Sequence, residues 1–148
     1  MQRSKVECYI HFVWATRNRE PFLTPKFERI AYRCMKQEIE RLQCVPLAIG
    51  GMPDHVHCVV QLHSTVSIAR MAQAMKGTSS KFLNNEAKMG QAFDWQDHYG
   101  AFSVSRSHLK RVLRYVNGQK QHHELGKLWS EWEETEIHWD LPATDTVP

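Results

Sequence analysis

The sequence lacks the features that would mark a membrane protein or a secreted one. No apolar run approaches the roughly 18 residues that a membrane-spanning helix requires, so we expect no membrane contact. The basic residues near the N-terminus are not followed by the apolar stretch of a signal peptide. The four cysteines form no C-x-x-C pair, which favours reduced, mostly buried thiols. These absences together predict a cytosolic protein.

Acidic residues are scarce in most of the chain and abundant at its end. Residues 1–120 carry a net charge of +9, whereas residues 121–148 carry −6. The 148 residues suffice for one domain with a sizeable core. The basic body favours a polyanionic partner, although a solvated surface with an acidic terminal helix fits the charge equally well.

The hydrophobic pattern predicts alternating strands and helices. Segments rich in β-branched and aromatic residues predict strands over residues 8–15, 45–51, 56–62 and 101–105. Apolar residues at helical spacing predict helices over residues 25–43 and 67–85, and a third that Ser107 caps. Trp95 and Tyr99 are the expected anchors of the loop before the fourth strand.

This βαββαβ order predicts an α+β fold of the ferredoxin-like or RRM-like type. Four antiparallel strands would form one sheet, with two helices on one of its faces. The other face would remain for a ligand or for the C-terminal helix. A turn containing Pro53 and Asp54 would connect the second and third strands as a hairpin.

Two histidines stand at the start of the predicted third strand. Side chains at i and i+2 share one face of a strand, so His55 and His57 project together while Val56 points the other way. Two imidazoles on a rigid strand can ligate a metal ion. They can equally be two histidines that happen to lie near a turn. His11 on the first strand could face the same site, but a core position is favoured.

The third helix carries a second group of polar residues on one face. Tyr115, Gln119 and His122 are separated by four and three residues, which brings them close together around a helix. Tyr115 would lie at the edge of the stripe formed by Val112 and Val116, where its hydroxyl could reach a cleft. The alternative is that Tyr115 is an ordinary boundary residue, as tyrosine often is.

Five segments in collinear order resemble one family. They are YIHFVWATRNREPFL from Tyr9, MPDHVH from Met52, MKGTSSK from Met75, FSVS from Phe102 and YVNGQKQHH from Tyr115. The chain thereby resembles the single-tyrosine HUH transposases of the insertion-sequence-200 type, including relatives associated with repetitive extragenic palindromes. The resemblance extends over about residues 8–123. It implies a catalytic domain over residues 1–123, followed by an acidic, Trp-rich extension over residues 124–148.

The resemblance also implies a role for each site residue. Tyr115 matches the nucleophile, His55 and His57 match the metal-ligating HUH pair, and Gln119 matches the third ligand. A donor set of two imidazoles and an amide oxygen suits Mg²⁺ or Mn²⁺ and does not resemble the thiolate-based sites that bind zinc. Gly118, immediately before Gln119, departs from the better helix formers common in relatives and is expected to loosen the helix there.

The family's chemistry implies a DNA strand transferase of the bacterial or archaeal cytosol. Such an enzyme cleaves and rejoins single-stranded DNA through a 5′-phosphotyrosine, recognises hairpins of a mobile or repetitive element, and is often a homodimer. The basic side chains that could contact phosphates are Arg17, Arg19, Lys76, Lys81, Arg106, Lys110, Arg111 and Arg114.

A binding module on the same fold is the main alternative. RNA-recognition domains share the βαββαβ order and stack bases on aromatic side chains of the sheet. The aromatic residues that could do so are Tyr9, Phe12, Trp14 and Phe102. However, the chain lacks the characteristic aromatic motif of those domains. A binding module also has no need for two histidines, a tyrosine and a glutamine together.

Overall fold

A computed structural model describes residues 4–85 and 92–120 of the chain. The strands are β1 (Cys8–Ala15), β2 (Val45–Met52), β3 (His55–Leu62) and β4 (Gly100–Val104). The helices are α1 (Pro25–Arg41), α2 (Ile68–Asn85) and α3 (Leu109–Asn117). Their order is the one that the hydrophobic pattern predicts, so the α+β fold is confirmed. The extension at 124–148 and His122 lie outside the described residues.

Two predicted helix boundaries were wrong. α1 ends at Arg41, short of residue 43, because Gln43 adopts a left-handed conformation with a φ of 63°. Ser107 does not cap α3, since it lies inside a 3-10 turn over Arg106–His108 and the α-helix begins after that turn. Both errors are local and leave the topology unchanged.

The four strands form one antiparallel sheet in the order β2-β3-β1-β4. β1 and β3 are central, and each alternates its side chains between the two faces. Phe12, Trp14, Val56 and Cys58 belong to the larger core, to which the packed helices α1 and α2 contribute. Val56 thus points away from the histidines that flank it, as the strand geometry predicts.

The opposite face of the sheet is partly covered by α3. Val112, Tyr115 and Val116 pack with Ala48 of β2 and Val59 of β3 in a second, smaller core. Val112 and Val116, which form the predicted apolar stripe of α3, are both buried. The helix therefore rests on the two strands that form the hairpin, β2 and β3.

A glycine in β2 allows α3 to approach this closely. A Cβ atom built on Gly50 would lie 2.0 Å from the backbone oxygen of Val116, which no side chain can tolerate. The contact joins the strand that precedes the histidine turn to the C-terminal end of the tyrosine-bearing helix. Gly50 therefore sets the position of α3 relative to β3.

The loop before β4 is anchored by the residues expected to do so. Trp95 is buried with its ring edge against Trp14, and its indole N–H donates to Ser79 Oγ at 2.9 Å. Tyr99 is partly buried and packs on Phe12.

The remaining sequence expectations concern the cysteines and the membrane. Cys34, Cys44 and Cys58 are buried and Cys8 is exposed, and none of the four forms a disulfide. Within the described ranges, no helix is both long and apolar enough to span a membrane.

Candidate active site

The histidine pair lies at the start of β3, on the face that carries α3. His55 and His57 are both buried, and their rings meet edge to face with centroids 5.3 Å apart. The pairing of β3 with β1 sets His55 opposite Ala15 and His57 opposite Val13. The two imidazoles therefore share one face of a central strand, as their spacing predicts, and the hydrogen bonds of the sheet fix their backbones.

Asp54 orients the first histidine. Its Oδ1 lies 2.7 Å from His55 Nδ1, and Arg19 Nε donates to its Oδ2 at 3.2 Å. The hydrogen bond with His55, supported by the charges of His55 and Arg19, lowers the pKa of Asp54 to about 2 despite partial burial. The carboxylate is thus ionised at neutral pH and can accept a hydrogen bond from His55 Nδ1, which would leave His55 Nε2 as the nitrogen that can ligate a metal ion.

His11 contacts the second histidine. Its Nε2 lies 2.8 Å from His57 Nδ1, and both side chains are fully buried. His11 is a core residue, as favoured from the sequence, because its side chain is buried. It also faces the candidate site, because it is hydrogen-bonded to His57. This leaves Nε2 as the nitrogen of His57 that can ligate a metal ion.

Tyr115 packs directly on this pair. Its ring stands edge to face on His57 with centroids 5.7 Å apart, and its side chain is only 1% exposed. Tyr115 is buried together with Val112 and Val116, although a rotation of about 100° per residue sets it to one side of these two valines, so the edge of the stripe is enclosed here as well. The ring is buried by its packing with Ala48 and Val59 in the smaller core and by its edge-to-face contact with His57.

Gln119 follows a break in the helix. α3 ends at Asn117 and Gly118 is its C-cap, which agrees with the expected loosening at this glycine. The Gln119 amide nitrogen nevertheless donates to the backbone oxygen of Tyr115 at 3.3 Å, and the side chain is buried. The amide thus stays one turn from the tyrosine.

The donor set fits a metal ion held by two imidazoles and an amide oxygen. No cluster of three or more His, Cys, Asp and Glu side chains suited to a metal occurs in residues 4–85 and 92–120. Gln119, which the resemblance implies as the third ligand, carries an amide and so falls outside those four residue types, and its side chain is buried. Cys58 lies on the opposite face of the sheet, so its thiol does not join the histidines.

A pocket of about 310 Å³ adjoins the buried residues. Its lining includes Gln119, Gly50 and Lys120. Lys120 Nζ forms two contacts of 2.8 Å with the carboxylate of Glu28, which ties the residue after Gln119 to α1. The site is therefore closed around the histidines and meets the surface next to Gln119.

The predicted phosphate-binding residues fall into two groups. Arg17 pairs with Asp94 and Asp97, Arg19 pairs with Asp54, and Lys76 donates to two backbone oxygens of the loop at residues 96 and 98. Burial lowers the pKa of Lys76, although Asp97 and Asp94 partly oppose that effect. Arg17 and Arg19 are nevertheless exposed. In the second group Arg106 pairs with Glu7 at 3.4 Å, and the other exposed residues are Lys81, Lys110, Arg111 and Arg114. The last three line the outer face of α3 without an acidic residue in that helix.

Comparison with known proteins bears on this arrangement. The family described as "Transposase IS200 like" matches residues 4–119. The chain belongs to this family of IS200-like transposases. Membership assigns it a role in DNA transposition, and the resemblance seen in its motifs is confirmed. No curated protein matches the chain.

Two solved structures share the fold of this transposase. One, from Deinococcus radiodurans R1, is described as a "putative transposase"; it is 20% identical, with 86% of this chain and 96% of that one covered and a TM-score of 0.63. The other is a REP-associated tyrosine transposase bound to a REP hairpin; it is 13% identical, with 86% of this chain and 74% of that one covered and a TM-score of 0.62.

Sequence reasoning missed two residues that orient the histidines. Asp54 was treated only as a turn residue, although its position immediately before His55 was a usable signal. The sequence allowed His11 to face this site, but its contact with His57 could not be predicted because it depends on how β1 pairs with β3. The base-stacking alternative loses two of its four aromatic residues, since Phe12 and Trp14 lie in the core on the helical face.

Proposed function

We propose that this transposase cleaves and rejoins single-stranded DNA through a covalent bond to Tyr115. The observation that carries the proposal is the edge-to-face contact of Tyr115 with His57, with Gln119 one turn further on. Packing alone does not require a tyrosine, two histidines and a glutamine at one place. Together they can supply a nucleophile, the tyrosine, and the ligands of a divalent cation, the histidines and the glutamine.

The reaction is a transesterification. The Tyr115 oxygen attacks phosphorus in line and gives up its proton, while the bond from phosphorus to the 3′-oxygen breaks and that oxygen leaves as a 3′-hydroxyl. The product is a 5′-phosphotyrosine, and attack by another 3′-hydroxyl reverses the step without ATP. His55, His57 and Gln119 would hold Mg²⁺ or Mn²⁺, which supplies Lewis-acid stabilisation and orientation of the phosphate.

Substrate entry requires the buried site to open. Tyr115, His57 and Gln119 are at most 1% exposed, so a phosphate reaches them only after neighbouring side chains separate. The pocket that Gln119 lines is the approach from the surface that we propose. Single-stranded DNA suits such a site better than a duplex, because its backbone can bend into a narrow opening and contact the basic face of α3.

Hairpin DNA is the proposed form of the substrate. The REP-associated relative was solved with a hairpin bound, and the fold is shared over 86% of this chain. Lys110, Arg111 and Arg114 offer an exposed basic surface for the backbone of such a hairpin. Assembly as a homodimer stays a prediction, since the single chain already brings Tyr115 to its own histidines.

A covalent-adduct assay tests the proposal. Labelled single-stranded hairpin DNA from the flanks of the gene is incubated with protein and Mn²⁺ or with EDTA, then resolved on a denaturing gel. We expect a metal-dependent shifted band that disappears in Tyr115→Phe and in His57→Ala. Tyr99→Phe and His63→Ala are matched controls, because both residues lie outside the site, and should keep the band.

The opposite result would favour a binding module. Tight hairpin binding without any adduct, equal in wild type, Tyr115→Phe and His57→Ala, would contradict the proposed chemistry. Release of free 5′-phosphate ends instead of an adduct would identify a hydrolase and not a strand transferase. If the protein is a binding module, Tyr9 and Phe102 are the aromatic residues still available for base stacking.

A further inference from the structure

We propose that His11 is a positioning residue that fixes the tautomer and ring orientation of His57. The inference rests on the metal-binding role given above to His57, and it adds a residue to which neither the motifs nor the comparisons assign a role. Its basis is the buried contact of 2.8 Å between His11 Nε2 and His57 Nδ1.

The sheet brings the two imidazoles together by its register. His11 pairs with Val59 and Val13 pairs with His57, so His11 and His57 are diagonal neighbours on one face of adjacent antiparallel strands. Long side chains reach each other across that diagonal. Phe102 of β4 packs on the other side of His11, with centroids 6.0 Å apart. His11 is thereby held between a neighbouring aromatic ring and His57.

The contact has a chemical direction. A neutral histidine that ligates a metal through Nε2 must carry its proton on Nδ1. His57 Nδ1 would then donate, and His11 Nε2 would accept, which requires the proton of His11 to sit on its own Nδ1. With the opposite direction, His57 would carry its proton on Nε2 and could not ligate through that atom.

His55 and His57 would thus each be oriented by a hydrogen bond from Nδ1. In this arrangement Asp54 would accept from His55 Nδ1 across the contact of 2.7 Å, and His11 would accept from His57 Nδ1 across the contact of 2.8 Å. A role for His11 as a third metal ligand is not supported, since its Nε2 faces His57 and the described residues contain no metal-binding cluster of three His, Cys, Asp or Glu side chains. A purely structural role for His11 would leave the metal affinity unchanged.

The first measurement reads the tautomers directly in the metal-free wild-type protein. Long-range nitrogen–proton correlation spectra of ¹⁵N-labelled histidine distinguish a protonated Nδ1 from a protonated Nε2, with His11→Gln and His57→Ala for assignment. We expect both His57 and His11 to carry the proton on Nδ1. A proton on Nε2 of His57 would overturn the proposal.

The second measurement is Mn²⁺ affinity by calorimetry on DNA-free protein. His11→Leu fills the buried position with an apolar side chain that cannot accept a hydrogen bond, so we expect affinity to fall about 10- to 100-fold. His11→Gln can present its amide oxygen near the former Nε2, and we expect it to restore affinity close to wild type. Thermal unfolding without metal separates loss of folding from loss of orientation.

The outcomes separate this inference from the proposed function. If wild type binds no Mn²⁺, or if His57→Ala binds it as well as wild type, the proposed metal site itself fails. If His57→Ala loses binding while His11→Leu keeps wild-type affinity, only the role of His11 is wrong. Equal losses in His11→Leu and His11→Gln would also contradict the role as an acceptor.

Discussion

The ring of Tyr115 stands edge to face on the imidazole of His57 in the same chain, with centroids 5.7 Å apart and an angle of 84° between the planes. The proposed nucleophile and the proposed metal ligands therefore meet without a second subunit. β3 supplies the histidines and α3 supplies the tyrosine, and Gly50 of β2 sets the distance between these elements.

This arrangement predicts an active site completed within one chain. Tyr115→Phe lacks only the nucleophile and His57→Ala lacks only a ligand, so a mixture can form a complete site only by exchanging α3 between chains. We expect the mixture to form no more covalent adduct than either variant alone. Hairpin DNA, Mn²⁺ and a denaturing gel provide the measurement, with wild type diluted by each variant as the control.

Restored adduct in the mixture would contradict the single-chain site. It would show that the helix of one subunit serves the histidines of another. A size measurement on the same mixture would then determine whether a dimer accompanies the activity.

Gly50 should be intolerant of any side chain. We expect Gly50→Ala to lower the free energy of unfolding by about 1–3 kcal/mol, because its Cβ would overlap the backbone oxygen of Val116. The same displacement of α3 should remove Tyr115 from His57 and reduce adduct formation. Urea denaturation and the adduct assay measure the two effects.

Gly77 is the matched control for this substitution. It lies within α2, and a Cβ there would meet no atom within 4 Å. Gly77→Ala should therefore raise the free energy of unfolding by about 0.5–1 kcal/mol, since alanine is the better helix former. Equal stability of the two alanine variants would refute the role assigned to Gly50.

The strand and helix order could be predicted because it depends on local pattern. The alternation around Val56 places His55 and His57 on one face regardless of the rest of the fold. What could not be predicted depends on pairing between distant segments. His11 meets His57 only through the register of β1 and β3, and Tyr115 is buried only because α3 lies on the strand that carries His57.

The exposed basic face of α3 should contribute to DNA binding through charge. Replacing Arg111 or Arg114 with glutamine should reduce the slope of log affinity against log salt by about 0.7–0.9 for each phosphate that the variant no longer neutralises, the larger value applying to the duplex stem. Lys36 on α1 is the control, because α1 covers the opposite face of the sheet and this lysine is also exposed. Lys36→Gln should leave the slope unchanged. Binding of a labelled hairpin at several salt concentrations measures all three variants.

Lys76 should act in folding and not in DNA binding. Its ammonium group donates to the backbone oxygens of Gln96 and His98 at 2.7 and 3.2 Å, which holds the loop that carries Trp95. Lys76→Met keeps most of the aliphatic chain but removes both hydrogen bonds. We expect the free energy of unfolding to fall by about 1–2 kcal/mol, with the salt dependence of hairpin binding unchanged.

Lys81 on the same helix provides the comparison that decides between the two roles. It is exposed, so Lys81→Met should change the free energy of unfolding by less than about 0.5 kcal/mol. If Lys81 contacts a phosphate, the same substitution should reduce the slope of log affinity against log salt. A Lys76→Met variant with wild-type stability and a lowered slope would reverse the assignment, because a lysine that binds DNA must leave the loop oxygens to do so.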